Sequence, residues 1–153
     1  MSMWRTAALV CGLTAGAAQA AHVGQCDGYA ANARNLSVPY DEAVREFANG
    51  RIVFLNLFVE EPVCCGAHLM VLFPNLDDYY QDCRLISWTP SLGYLNINLS
   101  EATAAYNPKS GLMISVPSRL YDAETNFGNG VLLDVTINQA HGTVTVKETL
   151  GIE

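Results

Sequence analysis

Between Arg51 and Val146, turn residues divide the chain into apolar runs of only a few residues each, and this spacing is its strongest constraint on fold. Arg51 to Val59 is rich in Ile, Val, Phe and Leu and too short for an ordinary helix, so it is expected as a central strand buried on both faces. Ala67 to Phe73 repeats the pattern after the break at Glu60-Glu61-Pro62 and stops at Pro74-Asn75-Leu76-Asp77-Asp78. Cys83 to Trp88 follows as a short strand, closed by Thr89-Pro90-Ser91-Leu92-Gly93. Leu95, Ile97 and Leu99 then alternate with Tyr94, Asn96 and Asn98, the mark of a half-exposed strand. Tyr106 to Gly111 is a turn by composition, leading into Leu112, Ile114 and Val116 on one face, with Pro117 expected to end that strand. After a polar loop, Asp122 to Gly130, the clearest hairpin begins. Val131, Leu133, Val135 and Ile137 form its inner face, Gln139-Ala140-His141-Gly142 turns it, and Val144 and Val146 return.

Upstream of these runs, Tyr40, Ala43, Val44 and Phe47 would suit a helical stripe. Asn49-Gly50 before an apolar run is instead a hairpin signal, which favours a strand over Val44 to Ala48. Ala21 to Ser37 has no sustained period and reads as an irregular arm held by Cys26. The expected fold is therefore all-β: an antiparallel sandwich or barrel of about seven or eight short strands, with at most one short helix. No repeat or linker divides residues 21–153, which are read as one β-rich domain.

The first twenty residues belong to a different kind of segment. Arg5 supplies a positive start, Ala7 to Ala18 an apolar core, and Ala18-Gln19-Ala20 a small-x-small cleavage site, the pattern of a signal peptide. Its apolar part is far short of the roughly 20 residues a bilayer needs, so no membrane span is expected in the mature chain. Cleavage near Ala20 would place the protein in the periplasm or outside the cell. Losing Arg5 takes the formal net charge from −7 to −8. Without a basic cluster nothing would displace counterions from phosphates, so nucleic acid is an unsuitable partner.

Cys11 leaves with the signal, and Cys26, Cys64, Cys65 and Cys83 remain, an even set that in an exported protein reads as two disulfides. Cys64 and Cys65, as neighbours, lie outside ordinary disulfide geometry if paired together. Cys26 and Cys83 are therefore expected to take one each, with the assignment open. The alternative is a zinc or copper site, or a thiol-redox centre, built from Cys64, Cys65 and His68. On an extended chain Cys64 and His68 would stand roughly 13 Å apart with Cys65 facing away, so only a turn at Gly66 could gather them. His22 would chelate copper only if it became the N-terminal residue.

Several phrases occur together: Phe47-Ala48-Asn49-Gly50, Glu61-Pro62-Val63-Cys64-Cys65 with His68-Leu69, Cys83-Arg84-Leu85, Tyr106-Asn107-Pro108 with Gly111-Leu112, and Ile137-Asn138-Gln139-Ala140 with Gly142-Thr143-Val144. From about Val44 to Val146 the chain resembles a group of small, uncharacterised exported proteins of alphaproteobacterial type. The resemblance implies export and supplies no activity or catalytic residue.

Other constellations read as structure. Asp122 to Gly128 spaces oxygen side chains as calcium loops do, yet Phe127 stands where glycine is required and Leu133 where a bidentate glutamate belongs. The sequence has no Gly-x-Ser-x-Gly and only three histidines, and His141 falls in a turn that exposes a side chain without enclosing it. Glu60-Glu61 and Asp77-Asp78 flank strands as solvated acids. The residues favour a non-catalytic binding module, with no cofactor, whose partner is another envelope or secreted protein. Its contacts would come from Tyr79, Tyr80, Trp88 and Tyr121 in or beside the loops, because loops on a rigid sheet carry recognition and Tyr and Trp anchor contacts. The triplets Asn35-Leu36-Ser37 and Asn98-Leu99-Ser100 match the glycosylation pattern but carry no weight beside a bacterial-type signal.

Overall fold

The computed structural model describes residues 21–60 and 64–151. The expected signal segment, and Glu61, Pro62 and Val63 of the break before Cys64, lie outside the described residues. In chain order the strands are β1 (His22–Gly24), β2 (Val44–Phe47), β3 (Ile52–Phe58), β4 (Ala67–Pro74), β5 (Gln81–Ser87), β6 (Asn96–Ile97), β7 (Thr103–Asn107), β8 (Gly111–Asp122), β9 (Phe127–Asn138) and β10 (Thr143–Leu150). Five make an antiparallel sheet in the order β1-β5-β4-β3-β2. The other five make a second, β10-β9-β8-β6, with β7 pairing β8 alongside β6. The two open sheets form a sandwich, which resolves the choice left between sandwich and barrel.

One core fills the space between the sheets. Ile52 and Phe54 of β3, Ala67, Leu69, Val71 and Phe73 of β4, and Ile86 of β5 face Ile114 and Val116 of β8 and Val131, Leu133, Val135 and Ile137 of β9. Their period of two follows from the pleat, which sends alternate side chains to one face. On the opposite face of β4, His68 and Met70 are buried as well, and Leu72 is half-buried. Met70, with Leu57 and Leu85, packs on the outer face of the first sheet under Ala30, Ala31 and Leu36 of the N-terminal arm. That cover explains why β3 and β4 read as nearly continuous apolar runs.

The arm is compact. Tyr29–Ala31 and Ala33–Asn35 form two 3-10 turns, and the Asn35 amide donates to the Tyr29 and Ala30 carbonyls at 2.8 and 3.3 Å. One α-helical turn, Tyr40–Ala43, precedes β2. The β2–β3 turn falls where Asn49-Gly50 predicts it, with Ala48, Asn49 and Gly50 all at positive φ (53°, 57° and 79°).

Four expectations are corrected. Pro117 does not end β8 but sits inside it, opposite Leu132. Its carbonyl accepts from Asn98 N–H at 2.9 Å, so its missing donor faces the side where β7 pairing gives way to β6, where a ladder bond is least missed. The loop expected over Asp122 to Gly130 shortens to a turn at residues 123–126, because Phe127 to Gly130 continue the pairing with β8. In the third case the alternation through residues 94–99 slips. Tyr94 is fully buried and Leu95 is exposed, since the Tyr94 hydroxyl finds a partner inside while its ring fills the core.

The fourth correction concerns the cysteines, which pair as Cys26–Cys83 and Cys64–Cys65. β1 pairs β5 with His22 opposite Ser87 and Gly24 opposite Leu85. Continuing that register past Gly24 brings Cys26 opposite Cys83. Cys64 and Cys65 precede β4 rather than lying in it, and Cys65 has φ of 75°. The strand geometry that would have pointed their side chains apart does not apply there.

Candidate interaction surface

The corner around Cys65 is tightly packed. Cys65 is buried, its carbonyl accepts from Gly93 N–H at 2.7 Å, and the next carbonyl, of Gly66, accepts from Val59 N–H at 2.8 Å. A side chain at Gly66 would run into the Val59 carbonyl, and one at Gly93 into the carbonyls of Ala67 and Cys65. His68, the next polar residue, lies on β4 with its ring buried and Nδ1 2.7 Å from Ser87 Oγ. The sulfurs of Cys64 and Cys65 are bonded to each other and offer no thiolate. The zinc or copper alternative on Cys64, Cys65 and His68 therefore does not fit these residues as they stand. Among the described residues no group of three or more His, Cys, Asp or Glu is placed to hold a metal ion.

Gly93 leads directly to Tyr94, which bridges the sheets. Its backbone pairs with Ala67 of β4, and its hydroxyl donates to Glu148 Oε1 on β10 at 2.5 Å. Burial pushes the Tyr94 phenol well above its ordinary range, and the hydrogen bond and charge of Glu148 add to the effect. The Glu148 carboxyl is also raised by burial, with the Tyr94 hydrogen bond pulling it back down.

The four aromatic residues expected to make contacts do not form one surface. Trp88 is partly buried against the core. Tyr121 lies at the turn end of the β8–β9 hairpin and donates to Asn126 Oδ1 at 2.7 Å within the same turn. Tyr79 and Tyr80 belong to the β4–β5 loop, where Tyr79 is fully exposed and Tyr80 is 66% exposed. That loop is at the other end of the sandwich, because Leu76 lies against Gly142 of the β9–β10 turn. From Tyr121 to that turn, β9 runs for roughly 30 Å at ~3.3 Å per residue.

The loop bearing Tyr79 and Tyr80 is locally well bonded. Asn75 Oδ1 accepts from Asp77 N–H at 2.8 Å, Asp78 Oδ1 accepts from Tyr79 N–H at 2.8 Å, and the Asn75 amide donates to Asp82 Oδ1 at 2.9 Å. The Asn75 N–H closes the loop onto the Tyr80 carbonyl at 3.2 Å. These Asx-type bonds hold the backbone without help from a partner. At the same end, Leu76 and Tyr106 are also exposed. A cleft of about 370 Å³ opens between the β7–β8 and β9–β10 turns, with Tyr106, Lys109, Asn138 and His141 on its walls. His141 thus does border a hollow, contrary to expectation, because two turns from neighbouring strands enclose what one turn leaves open.

At the Tyr121 end, Asp122 accepts from Glu124 N–H and the Thr125 hydroxyl, both at 2.9 Å. Those bonds hold its carboxyl below the ordinary value, the Glu124 N–H contributing most, so the oxygen-rich spacing there builds a self-bonded turn. Three residues escaped sequence reasoning. Leu76 and Tyr106 are apolar or aromatic residues inside turn-forming stretches, and that misplacement is a usable signal. Asn56 is a lone amide inside the apolar run of β3. Compared with known proteins, the chain matches no family model, no curated protein and no solved structure.

Proposed function

We propose that the chain is an exported, non-catalytic interaction module whose recognition surface is the tip carrying Tyr79 and Tyr80. The observation that carries the reading is a pair of exposed tyrosines on a loop already fixed by its own hydrogen bonds. A fixed loop loses little conformational freedom on binding, and tyrosine supplies a large contact area from few torsions. Asp77 and Asp78 beside them are exposed, in a chain of formal net charge −7. The fitting partner is therefore another secreted or envelope protein that offers an apolar recess rimmed by Lys or Arg. Export rests on the N-terminal signal pattern. The two disulfides are compatible with an oxidising compartment, and among the described residues no helix is long and apolar enough to cross a membrane.

The test places a photo-crosslinking residue at position 77, beside the intact tyrosine pair, in one variant and at position 132, on the outer face of β9, in another, and exposes both to envelope extract. The reading requires one product specific to position 77, weakened by added salt and lost when Y79A/Y80A is combined with that probe at unchanged melting temperature. Equal crosslinking from both positions, or capture that survives Y79A/Y80A, would overturn it.

A further inference from the structure

A second site, independent of the tyrosine tip, lies at the edge where β3 approaches the segment bearing β6. Asn56 takes the inward position that follows Ile52 and Phe54 on β3. Its amide donates to the Ile97 carbonyl of β6 at 3.2 Å, and its backbone carbonyl accepts from Ser37 N–H at 3.0 Å. Its side-chain Oδ1 is buried and has no hydrogen-bond partner. Leaving such an acceptor unpaired is costly.

Asn56 stands where two clefts meet. One, of about 330 Å³, has Ser37, Glu42, Asn96, Asn98 and Ser100 on its walls. The other, of about 430 Å³, shares Ser37, Val38 and Asn56 and extends to Arg34 and Phe58, which is 52% exposed. The repeated Asn-Leu-Ser triplets converge here. Leu36 and Leu99 turn into the two apolar clusters, which leaves Ser37 on one wall and Asn98 and Ser100 on the other. The Asn35 amide, by contrast, is buried and engaged within the arm.

We infer that this edge binds a neutral, hydroxyl-rich ligand of the glycan class, with one ligand hydroxyl donating to Asn56 Oδ1. Amides and hydroxyls on opposing walls offer both donors and acceptors to vicinal diols. Each cleft carries a single charged side chain, so neither presents the charge cluster that would select an ion. Phe58 offers an apolar face against which a sugar ring can lie. The Asn56 amide torsion is soft, so Oδ1 can turn toward the cleft floor to meet the hydroxyl, giving up the 3.2 Å bond from its amide to Ile97 in exchange.

The test is an NMR titration of the ¹⁵N-labelled mature chain with maltotriose, cellotriose and chitotriose, and with inorganic sulfate as the ionic control. The expected result is saturable movement of the Asn56, Asn96 and Asn98 side-chain amides with at least one trisaccharide. In N56L that binding should weaken at least about tenfold, equivalent to about 1.4 kcal/mol. N56S, smaller and still polar, serves if N56L does not fold. Absence of saturable shifts with all three saccharides, equal shifts in the Asn56 variants, or a preference for sulfate would overturn the inference.

Discussion

The two sheets are built from the same strand chemistry but bury it differently. In the first, β4 is buried along nearly its whole length, because the core covers one face and the N-terminal arm the other. In the second, β10 alternates between half-buried and exposed positions, because none of the described residues covers its outer face. A near-continuous apolar run in an antiparallel protein therefore signals a third layer, here an irregular arm with no periodicity of its own.

The comparison breaks most readily at the staple that fixes the arm. Cys26–Cys83 spans a sequence separation of 57, so its loss in C26S/C83S should cost roughly 4 kcal/mol through the freed unfolded chain. Denaturant midpoints would measure this, and dye binding would report the uncovered outer face. C64S/C65S opens a ring between neighbours and should cost far less. Equal losses from the two pairs would mean that the arm does not depend on its staple.

A smaller contrast lies in the faces themselves. Leu57 is buried beneath the arm, whereas Leu132 is 36% exposed on the uncovered face. L57A should destabilise by roughly 2–5 kcal/mol, and L132A by less than about 1 kcal/mol. Comparable values would show the outer face of the second sheet to be covered in solution.

A further effect, smaller than that of L57A, concerns the tie between the sheets. Y94F leaves Glu148 without its phenol and should cost roughly 1–3 kcal/mol. The sign with pH is specific. The folded-state Glu148 pKa is raised above its ordinary 4.5, so the folded chain binds that proton more tightly than the unfolded one. This contribution is complete below 4.5 and disappears as pH rises through the raised value. E148Q should abolish that slope. Y94F should extend it to higher pH, since the hydrogen bond that lowers the Glu148 pKa is gone. A wild-type slope of opposite sign would refute the assignment.

Much of the fold was legible because it is local. The alternation of Val131 to Ile137 with Val144 and Val146 states both strands and their inner face, and Asn49-Gly50 states the turn before β3. The breaks in legibility are all long-range. Pro117 looked like a terminator because its missing donor is harmless only beside the β6–β7 gap, and Tyr94 looked like a solvent-facing residue until Glu148 supplied its partner from β10. Of the expected contact aromatics, Tyr79 and Tyr80 were found from loop composition, but their separation from Trp88 and Tyr121 depends on which end each loop occupies.

The sequence alone determined an all-β chain with cystines, an apolar core of alternating residues and an arm tied by Cys26, since backbone pleat and turn chemistry act over a few residues. Only the tertiary structure decided that Cys26 meets Cys83 and that Ser37 of one Asn-Leu-Ser triplet shares a cleft with Asn98 and Ser100 of the other. It also set Leu76 and Tyr79 beside the β9–β10 turn. Each depends on strand register and sheet order, which are fixed by packing between segments far apart in the chain.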